Sequence, residues 1–444
     1  MSLIGVDLGT SGVRVAAFDE SGIELVSSTA GLTLHRSGSQ VELRTEDVLN
    51  AVDHCLAEVV SQVPASAISF STQGEAFVCL AEPESVPVSL DRRGEVVGLE
   101  GFQEITGQPV HPMFSIFKML TMPGPGFETL DSYVARHLGV ESPVTDYSMA
   151  ARTGCWDVNR RSWQADWVRG WDLPEVVAPG TVIGKTRQNV PLVAGAHDQA
   201  AAYLGAGGKV GCASAFSLGT SDCLTVGTKS RPKLQLPTGA ATYPLADDLW
   251  ITLAGTAAGG WSLQWLAGLV HSSVSELVET GVDEPSGLLV LPYLAGSGTL
   301  DNDPGATGVV VGLTLATTAR QLGQGFLEAT GYELAKIKDA LDHLEPGAVR
   351  AVGAGSLDRN SLQVRSNAAG VSLDAVDSMA SARGAAFLAG VGLGIYPSLH
   401  DLPSVDADTS VHPRNQTWYA QQRQHYADLY QTTRSLVPTF KQNK

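Results

Sequence analysis

This chain has little that would staple, anchor or charge it positively. Its five cysteines, Cys55, Cys79, Cys155, Cys212 and Cys223, are scattered through 444 residues without a C-x-x-C pair. That excludes a disulfide framework and predicts reduced, mostly buried thiols in a cytoplasmic protein. Basic residues are scarce, 29 Lys and Arg against 46 Asp and Glu, for a formal charge of -17. The balance argues against nucleic acid or an anionic membrane as a main partner. It does not exclude nucleotide phosphates, because turn amides and Mg²⁺ supply positive potential locally. Long apolar runs are missing too: Leu288 to Gly298 is short and interrupted by Pro292, too little for a membrane span. The opening MSLIGVDLG lacks a basic n-region and is expected to start the fold at once rather than serve as a signal peptide. A Walker motif, G-x-x-x-x-G-K-[ST], is absent.

What is present is a turn-rich, well-packed composition, 43% hydrophobic with 48 Gly and 22 Pro, in a chain long enough for two domains. One phrase is written twice: VDLGTSG from Val6 to Gly12 and SLGTSD from Ser217 to Asp222. Each has apolar residues before it and small polar ones after it. A strand that hands over to such a turn presents backbone N–H groups and hydroxyls to an oxyanion. The repetition predicts a duplicated α/β fold with two phosphate-handling hairpins facing one cleft. Alternation and turn residues predict strands over Leu3–Val6, Val13–Phe18 and Glu24–Ala30, then a helix over Thr45–Val60 whose apolar stripe includes Val48, Val52, Leu56 and Val59. Ala67–Ser71 and Ala76–Leu80 add strand. Residues 101–187 are expected to be mainly helix and loop, with Trp156, Trp163, Trp167 and Trp171 as packing residues. Val190–Ala194 is an apolar strand, and the second domain is expected to begin with it, dividing the chain into 1–188 and 189–444. Further strands are expected at Cys212–Leu218, Cys223–Gly227 and Trp250–Ala254, and helices at Ala258–Val270, Leu315–Lys338, Asp358–Ala369 and Ala380–Gly392.

Two carboxylates stand where strands end. Asp7 precedes the first glycine turn and is placed either to hold Mg²⁺ beside a phosphate or merely to bond the turn. Thr10, Ser11 and Gly12 offer donors to a phosphate, and Arg14 a charge-assisted contact. Asp198, in AGAHDQAA, is a helix cap or a base for a substrate hydroxyl. Its neighbour His197 is expected to point elsewhere and to be structural. Gly353, Ala354 and Gly355 follow a short apolar strand and suit a flat adenine or ribose against backbone. LAGTAAGG, which contains Gly259, is a strand-to-helix turn that is architectural or lines a nucleotide.

With those residues in place, the chain resembles the FGGY family of carbohydrate kinases along nearly its whole length. IGVDLGTSGVRVAAFDESG resembles the family's first hairpin, TDYSMAARTGCWDVNRRSW its first-domain signature, and VAGAHDQAAAYLGAG the segment with the catalytic aspartate. SLGTSD resembles the second hairpin, LPYLAGSGTLDNDPGATGVVVGLT the second-domain signature, and VGAGSLDRNSLQVRSNAAG the adenosine element. The resemblance implies an actin-like ATPase fold, two RNase H-like domains around a central cleft, closing on ATP, Mg²⁺ and a small sugar or polyol. It implies that Asp198 is the general base, that Asp7 is associated with the metal, and that Thr10 and Ser11 face phosphate. Gly219, Thr220 and Ser221 then form the second phosphate turn, while Gly353, Gly355 and Asn360 lie by the adenosine. Gln73, Gly74 and Glu75 match the strand end that reaches the substrate, and Asp91 the acidic member of a sugar-binding motif. The chain departs from its relatives at Ser89, where many carry Trp, and at Arg14, where many carry Lys; residues 92–106 are abbreviated. A ketopentose such as xylulose is the leading acceptor, with tetritols, pentitols, gluconate and glycerol as alternatives, and a homodimer is the family habit. The competing reading is an actin-like ATPase or nucleotide-dependent binding protein that has lost its sugar site.

Overall fold

The structure, a computed structural model, describes residues 1–234, 238–256, 258–279, 284–303 and 305–434. Two sheets organise it. The first is built from β1 (Leu3–Leu8), β2 (Gly12–Phe18), β3 (Glu24–Gly31), β4 (Ala67–Thr72), β5 (Val182–Lys185) and β6 (Pro191–His197), in the order β5-β6-β4-β1-β2-β3. The second contains β7 (Ala213–Leu218), β8 (Asp222–Thr228), β9 (Ala241–Ala246), β10 (Leu249–Thr256), β11 (Ala348–Val352), β12 (Leu373–Ala375) and β13 (Thr409–Val411), in the order β9-β10-β8-β7-β11-β12-β13. In the first sheet β1 runs antiparallel to β2 and β2 to β3, while β4 and then β6 add in parallel on the other side. In the second, β7 is antiparallel to β8 and β8 to β10, while β11 and then β12 add in parallel. The strand order β3-β2-β1-β4-β6 is therefore repeated as β10-β8-β7-β11-β12. This is the duplicated α/β architecture expected from the repeated phrase.

The central strands are covered on both faces, as parallel strands in α/β proteins are. Helix α1 (Thr45–Gln62) seals one face of the first sheet with Val48, Val52, Leu56 and Val59, packed among Val6, Val13, Val15 and Phe70. The opposite face is sealed from far along the chain, by a helix over Ala380–Gly392. Its Ala382, Ala386, Phe387 and Ala389 pack with Leu3, Ala16, Phe18 and Val193. Each large side chain so buried contributes about 1.5–3 kcal/mol.

One expectation is corrected by strand pairing. The strand placed at the head of the second domain, Pro191–His197, is β6 of the first sheet, in parallel register with β4. The boundary at residue 188 would cut between β5 and β6, which are hydrogen-bonded neighbours. The sequence showed an apolar strand there but not its partner, because a buried strand looks alike in either sheet.

Further helices are α2 (Tyr147–Arg152), α3 (Asp198–Gly205), α4 (Gly260–Leu269), α5 (Ala319–Leu341), α6 (Arg359–Ala369), α7 (the Ala380–Gly392 helix) and α8 (Gln416–Arg434). Helix α5 starts at Ala319 rather than Leu315 because Thr318 caps it: the Gln321 N–H donates to Thr318 Oγ1 at 3.2 Å and the Thr318 N–H to Gln321 Oε1 at 3.0 Å. The tryptophan-rich stretch packs as expected, with Trp156 stacked on Tyr147 and Trp167 on Phe102. Four of the cysteines are buried; Cys212 is exposed.

Helices α3 and α7 cross backbone to backbone. A Cβ at Gly205 would overlap the Ala380 carbonyl, and one at Gly384 the Ala201 carbonyl. Arg383 locks this crossing: its Nε donates to Gly22 O and its Nη1 to Gly205 O, each at 3.0 Å, while Nη2 pairs with Asp377.

Candidate active site

The first turn is closed by the Gly9 N–H donating to Gly12 O at 3.0 Å, and it is pinned to β4 by the Gln73 N–H donating to Leu8 O at 2.9 Å. Ser11 stays exposed at its tip, and Thr10 donates its hydroxyl to Gln73 Oε1 at 2.8 Å. Gly12 has no room for a side chain, since a Cβ would lie 2.7 Å from Ala30 O. Asp7 sits at the end of β1 opposite Arg14 and accepts the Ser71 hydroxyl at 2.7 Å. Burial pushes its carboxyl up to about 6; Ser71 and Arg14 oppose that shift and the nearby Asp198 charge adds to it. Arg14 is thus beside Asp7, but its Nη1 donates to Ser378 O at 2.8 Å, which ties the first hairpin to the second half of the chain.

Beyond the end of β4 lies a cluster of buried polar side chains. The Gln73 amide is 4% exposed, and its Nε2 has no partner among the described residues. Gly74 lies against His197 and Arg152, where a Cβ would come within 2.8 Å of His197 Nε2. Glu75 takes a left-handed φ of 63° and pairs with Arg152. Arg152 also donates to Gln108 Oε1 at 2.8 Å and lies 5.0 Å over the Phe114 ring, while its Nε has no partner among the described residues. Lys118 donates to Val88 O at 2.9 Å; burial pushes its ammonium down to about 7 against the pull of Glu75 and Asp91. His111 is pushed down to about 4, chiefly by burial and then by Arg92, Arg152 and Lys118, so it is neutral beside these cations.

Asp91 is not part of that surface. It is fully buried, with Oδ2 accepting the Val41 N–H at 2.7 Å and Arg93 Nη2 at 2.8 Å, and Oδ1 accepting the Arg93 N–H and Nε at 3.0 Å. Burial alone would raise its pKa, but these bonds outweigh it and hold the carboxyl below its usual range. The expected substrate ligand is a clamp that fixes Arg93, which pairs in turn with Glu42.

Asp198, the first residue of α3, is partly exposed and carries Oδ1 3.0 Å from His197 Nε2. This corrects the expectation that the two neighbours point apart. His197 ends β6 and Asp198 begins α3, so the chain turns between the two residues. His197 Nδ1 is 2.7 Å from the Tyr243 hydroxyl, and its backbone N–H donates to Ser148 Oγ at 2.7 Å. Ser148 in turn donates to Asp146, whose carboxylate caps α2.

In the second half, Gly219, Thr220 and Ser221 are exposed at the tip of the β7–β8 turn. The turn is held from behind by the start of α4, with the Gly260 N–H donating to Gly219 O at 2.8 Å and the Trp261 N–H to Thr220 O at 3.1 Å. Gly259 packs on it so closely that a Cβ would lie 2.6 Å from Asp222 Oδ1. Gly353, at φ 89°, and Gly355 press on Leu218 from the other side, where Cβ atoms would lie 2.8 Å from its carbonyl oxygen and 2.9 Å from its Cβ. Ala354 and Asn360 are exposed beside it. These residues, distant in sequence, therefore converge on one surface. The two halves meet electrostatically: the thiol of Cys223 on β8, pushed up to about 12 by burial, feels Arg152, Asp198 and Asp222.

Sequence reasoning did not single out Arg152, Lys118, Tyr243, Ser71 or Asp222. Lys118 had a visible signal, a lone charge inside FSIFKML. Arg152 lay within a quoted signature but was not chosen from it. Asp222 closes the repeated phrase; it is buried with neither oxygen partnered among the described residues, and burial pushes it up to about 7. Among the described residues no group of three or more His, Cys, Asp or Glu is placed to hold a metal. The oxygen-only donors near Asp7 suit Mg²⁺, which is held by one or two carboxylates, waters and substrate phosphates rather than by a protein cage. No described helix is long and apolar enough to cross a membrane.

The chain matches two family models: the N-terminal domain of the FGGY family of carbohydrate kinases over residues 2–205 and its C-terminal domain over 214–393. It is 28% identical to a glycerol kinase of Geobacter sp. (strain M21), covering 88% of this chain and 90% of that protein. Among solved structures it is similar to a ligand-bound xylulose kinase from Lactobacillus acidophilus, with TM-score 0.86 at 20% identity and 99% of each chain covered. A gluconate kinase from the same organism gives TM-score 0.87 at 20% identity, again with 99% of each covered. A Plasmodium falciparum glycerol kinase with ADP gives 0.82 at 17% identity, covering 97% of this chain and 98% of that one. The repeated sheets, the paired glycine turns and these matches make the chain a member of the FGGY family of carbohydrate kinases, which transfer phosphate from ATP to an alcohol.

Proposed function

We propose that this kinase transfers the γ-phosphoryl group of ATP to a primary hydroxyl of a small sugar or polyol, a ketopentose such as D-xylulose being the first candidate. The carrying observation is that Asp198 stands where β6 ends, beside a buried polar cluster of Gly74, the Glu75–Arg152 pair and Gln73, whose Nε2 has no partner among the described residues. A buried donor without a partner is costly, and an acceptor from a polyhydroxyl ligand satisfies it. Asp198 accepts the proton of the attacking hydroxyl; the new O–P bond forms as the bond between the γ-phosphorus and the oxygen of the ADP leaving group breaks. The turn at Thr10–Ser11, with Ser11 exposed at its tip, and the exposed tip at Gly219–Ser221 orient the phosphates with N–H and hydroxyl donors, and Gly353–Gly355 with Asn360 flank the adenosine. Mg²⁺, associated with Asp7, supplies charge neutralisation on the phosphates when bound. Asp7, Ser71 and Arg14 hold that end of the site in place.

A coupled ADP-release screen over ketopentoses, pentitols, tetritols, gluconate and glycerol tests the reading. D-Xylulose or a near relative should give the highest kcat/KM. A preference for glycerol is the second reading, favoured by curated relatives named glycerol kinase at 25–28% identity. ADP release that ignores every acceptor would sink both and leave an actin-like ATPase.

A further inference from the structure

We infer that His197 is a positioning residue for Asp198, and that Tyr243 sets the tautomer in which it does so. The inference rests on the assignment of Asp198 as base. His197 is 4% exposed, and its ring meets Tyr243 edge-on with centroids 5.8 Å apart. His197 Nε2 lies 3.0 Å from Asp198 Oδ1, and since an ionised carboxylate only accepts hydrogen bonds, the tautomer that suits this contact carries its proton on Nε2. In a neutral ring Nδ1 is then bare and accepts from the Tyr243 hydroxyl, 2.7 Å away. Burial pushes the Tyr243 phenol well above its ordinary value, so the hydroxyl keeps the proton it donates. The opposite tautomer would aim a bare nitrogen at a carboxylate. The backbone of His197 is fixed as well, through Ser148 to Asp146.

The result is a carboxylate with one oxygen against a ring that Tyr243 holds from the other side. The other oxygen has no partner among the described residues and is the one left for a substrate proton. Gly74 belongs to the same device. It is not at positive φ, so only space forbids a side chain there, and the space is occupied by His197 and Arg152.

Replacing His197 by Asn keeps a polar group near Nδ1 but removes the donor at Nε2, whereas Gln places an amide N–H near Nε2. With D-xylulose or the panel acceptor turned over fastest, His197→Asn should lower kcat on the order of 10- to 100-fold while KM for ATP stays within about twofold. His197→Gln should recover most of that loss. Equal losses in the two variants, or a loss carried by KM alone, would overturn the inference. Gly74→Ala leaves His197 in the chain and presses its ring from the cleft side, so it should reproduce the kcat loss even if neither His197 variant folds; full activity in folded Gly74→Ala would count against the device.

A second readout needs no acceptor. ¹⁵N-histidine NMR of the whole protein, assigned with His197→Gln or Gly74→Ala, should show His197 as the Nε2–H tautomer, and Tyr243→Phe should weaken that preference. An Nδ1–H tautomer in the unsubstituted protein refutes the inference directly. If instead no acceptor is turned over, or Asp198→Asn keeps full activity, the kinase reading or its base fails while the spectra still decide the tautomer.

Discussion

On the proposed assignment Asp198 acts through a single oxygen, and its removal is expected to be felt in kcat. Asp198→Asn should lower acceptor-dependent ADP release about 10²- to 10⁴-fold, the usual worth of a positioned general base, with ATP binding unchanged by calorimetry. Unchanged turnover would exclude the assignment. Arg152 belongs to a different class of residue. Its ion pair with Glu75 is buried on both sides, at 6% and 3% exposure, so removing the arginine leaves a buried carboxylate with only the more distant charges of Lys118 and Arg92. Arg152→Ala should therefore destabilise the protein by about 3–5 kcal/mol in urea unfolding. A loss near zero would mean that Glu75 is solvated or protonated in the folded state. Asp91 shows why the sequence alone misled: an acidic residue beside two arginines in SLDRR serves equally as a ligand or as a clamp. The choice lay with Val41, fifty residues away, whose N–H closes the clamp.

Among the elements, glycine marks the places where backbones touch. Gly384→Ala pushes a methyl group into the Ala201 carbonyl at the α3–α7 crossing and should cost about 1–3 kcal/mol by overpacking, read as a lower urea midpoint with unchanged slope. Gly353→Ala combines a left-handed φ of 89° with a Cβ 2.8 Å from Leu218 O. It should shift the Gly219 turn and raise KM for ATP while leaving KM for the acceptor in place; a rise confined to the acceptor would contradict the convergence of these turns. Elements of this kind were legible because they are local. The hairpins, α1 and the glycine turns are written in apolar spacing and in residues that permit tight turns, and all were found near their expected places. Sheet membership was not legible, since the partner of β6 is a strand more than a hundred residues earlier. The Asp198–His197 contact was missed for a smaller reason: two adjacent residues share a side only because the chain turns between a strand and a helix.

For the molecule as a whole, pH acts through a pair of buried aspartates. Asp131 and Asp146 are fully buried and close enough to interact, and Asp131 Oδ1 and Asp146 Oδ2 have no hydrogen-bond partner among the described residues. Burial first, and for Asp146 the Asp131 charge next, holds the pair protonated well above the ordinary carboxylate range. Below about pH 4 the unfolded chain is protonated as well, and the stability is fully present. As pH rises the unfolded chain gives up these protons first, so stability falls until the folded pair also ionises. Asp146→Asn keeps the acceptor for Ser148 and supplies a permanent donor, so its melting temperature should gain on the unsubstituted protein between about pH 4.5 and 8; parallel curves would show that the pair is not protonated. The α7 helix has the wider consequence. It lies late in the chain yet forms one face of the first sheet, so the order of residues and the order of packing disagree. A ribosome releasing residues 1–205 delivers a first sheet that still lacks its α7 cover, and the first half is expected to wait for the second before it folds. Severed between its two family segments, it should yield fragments that need each other: an amino-terminal piece that is insoluble alone and is rescued when the rest is made beside it.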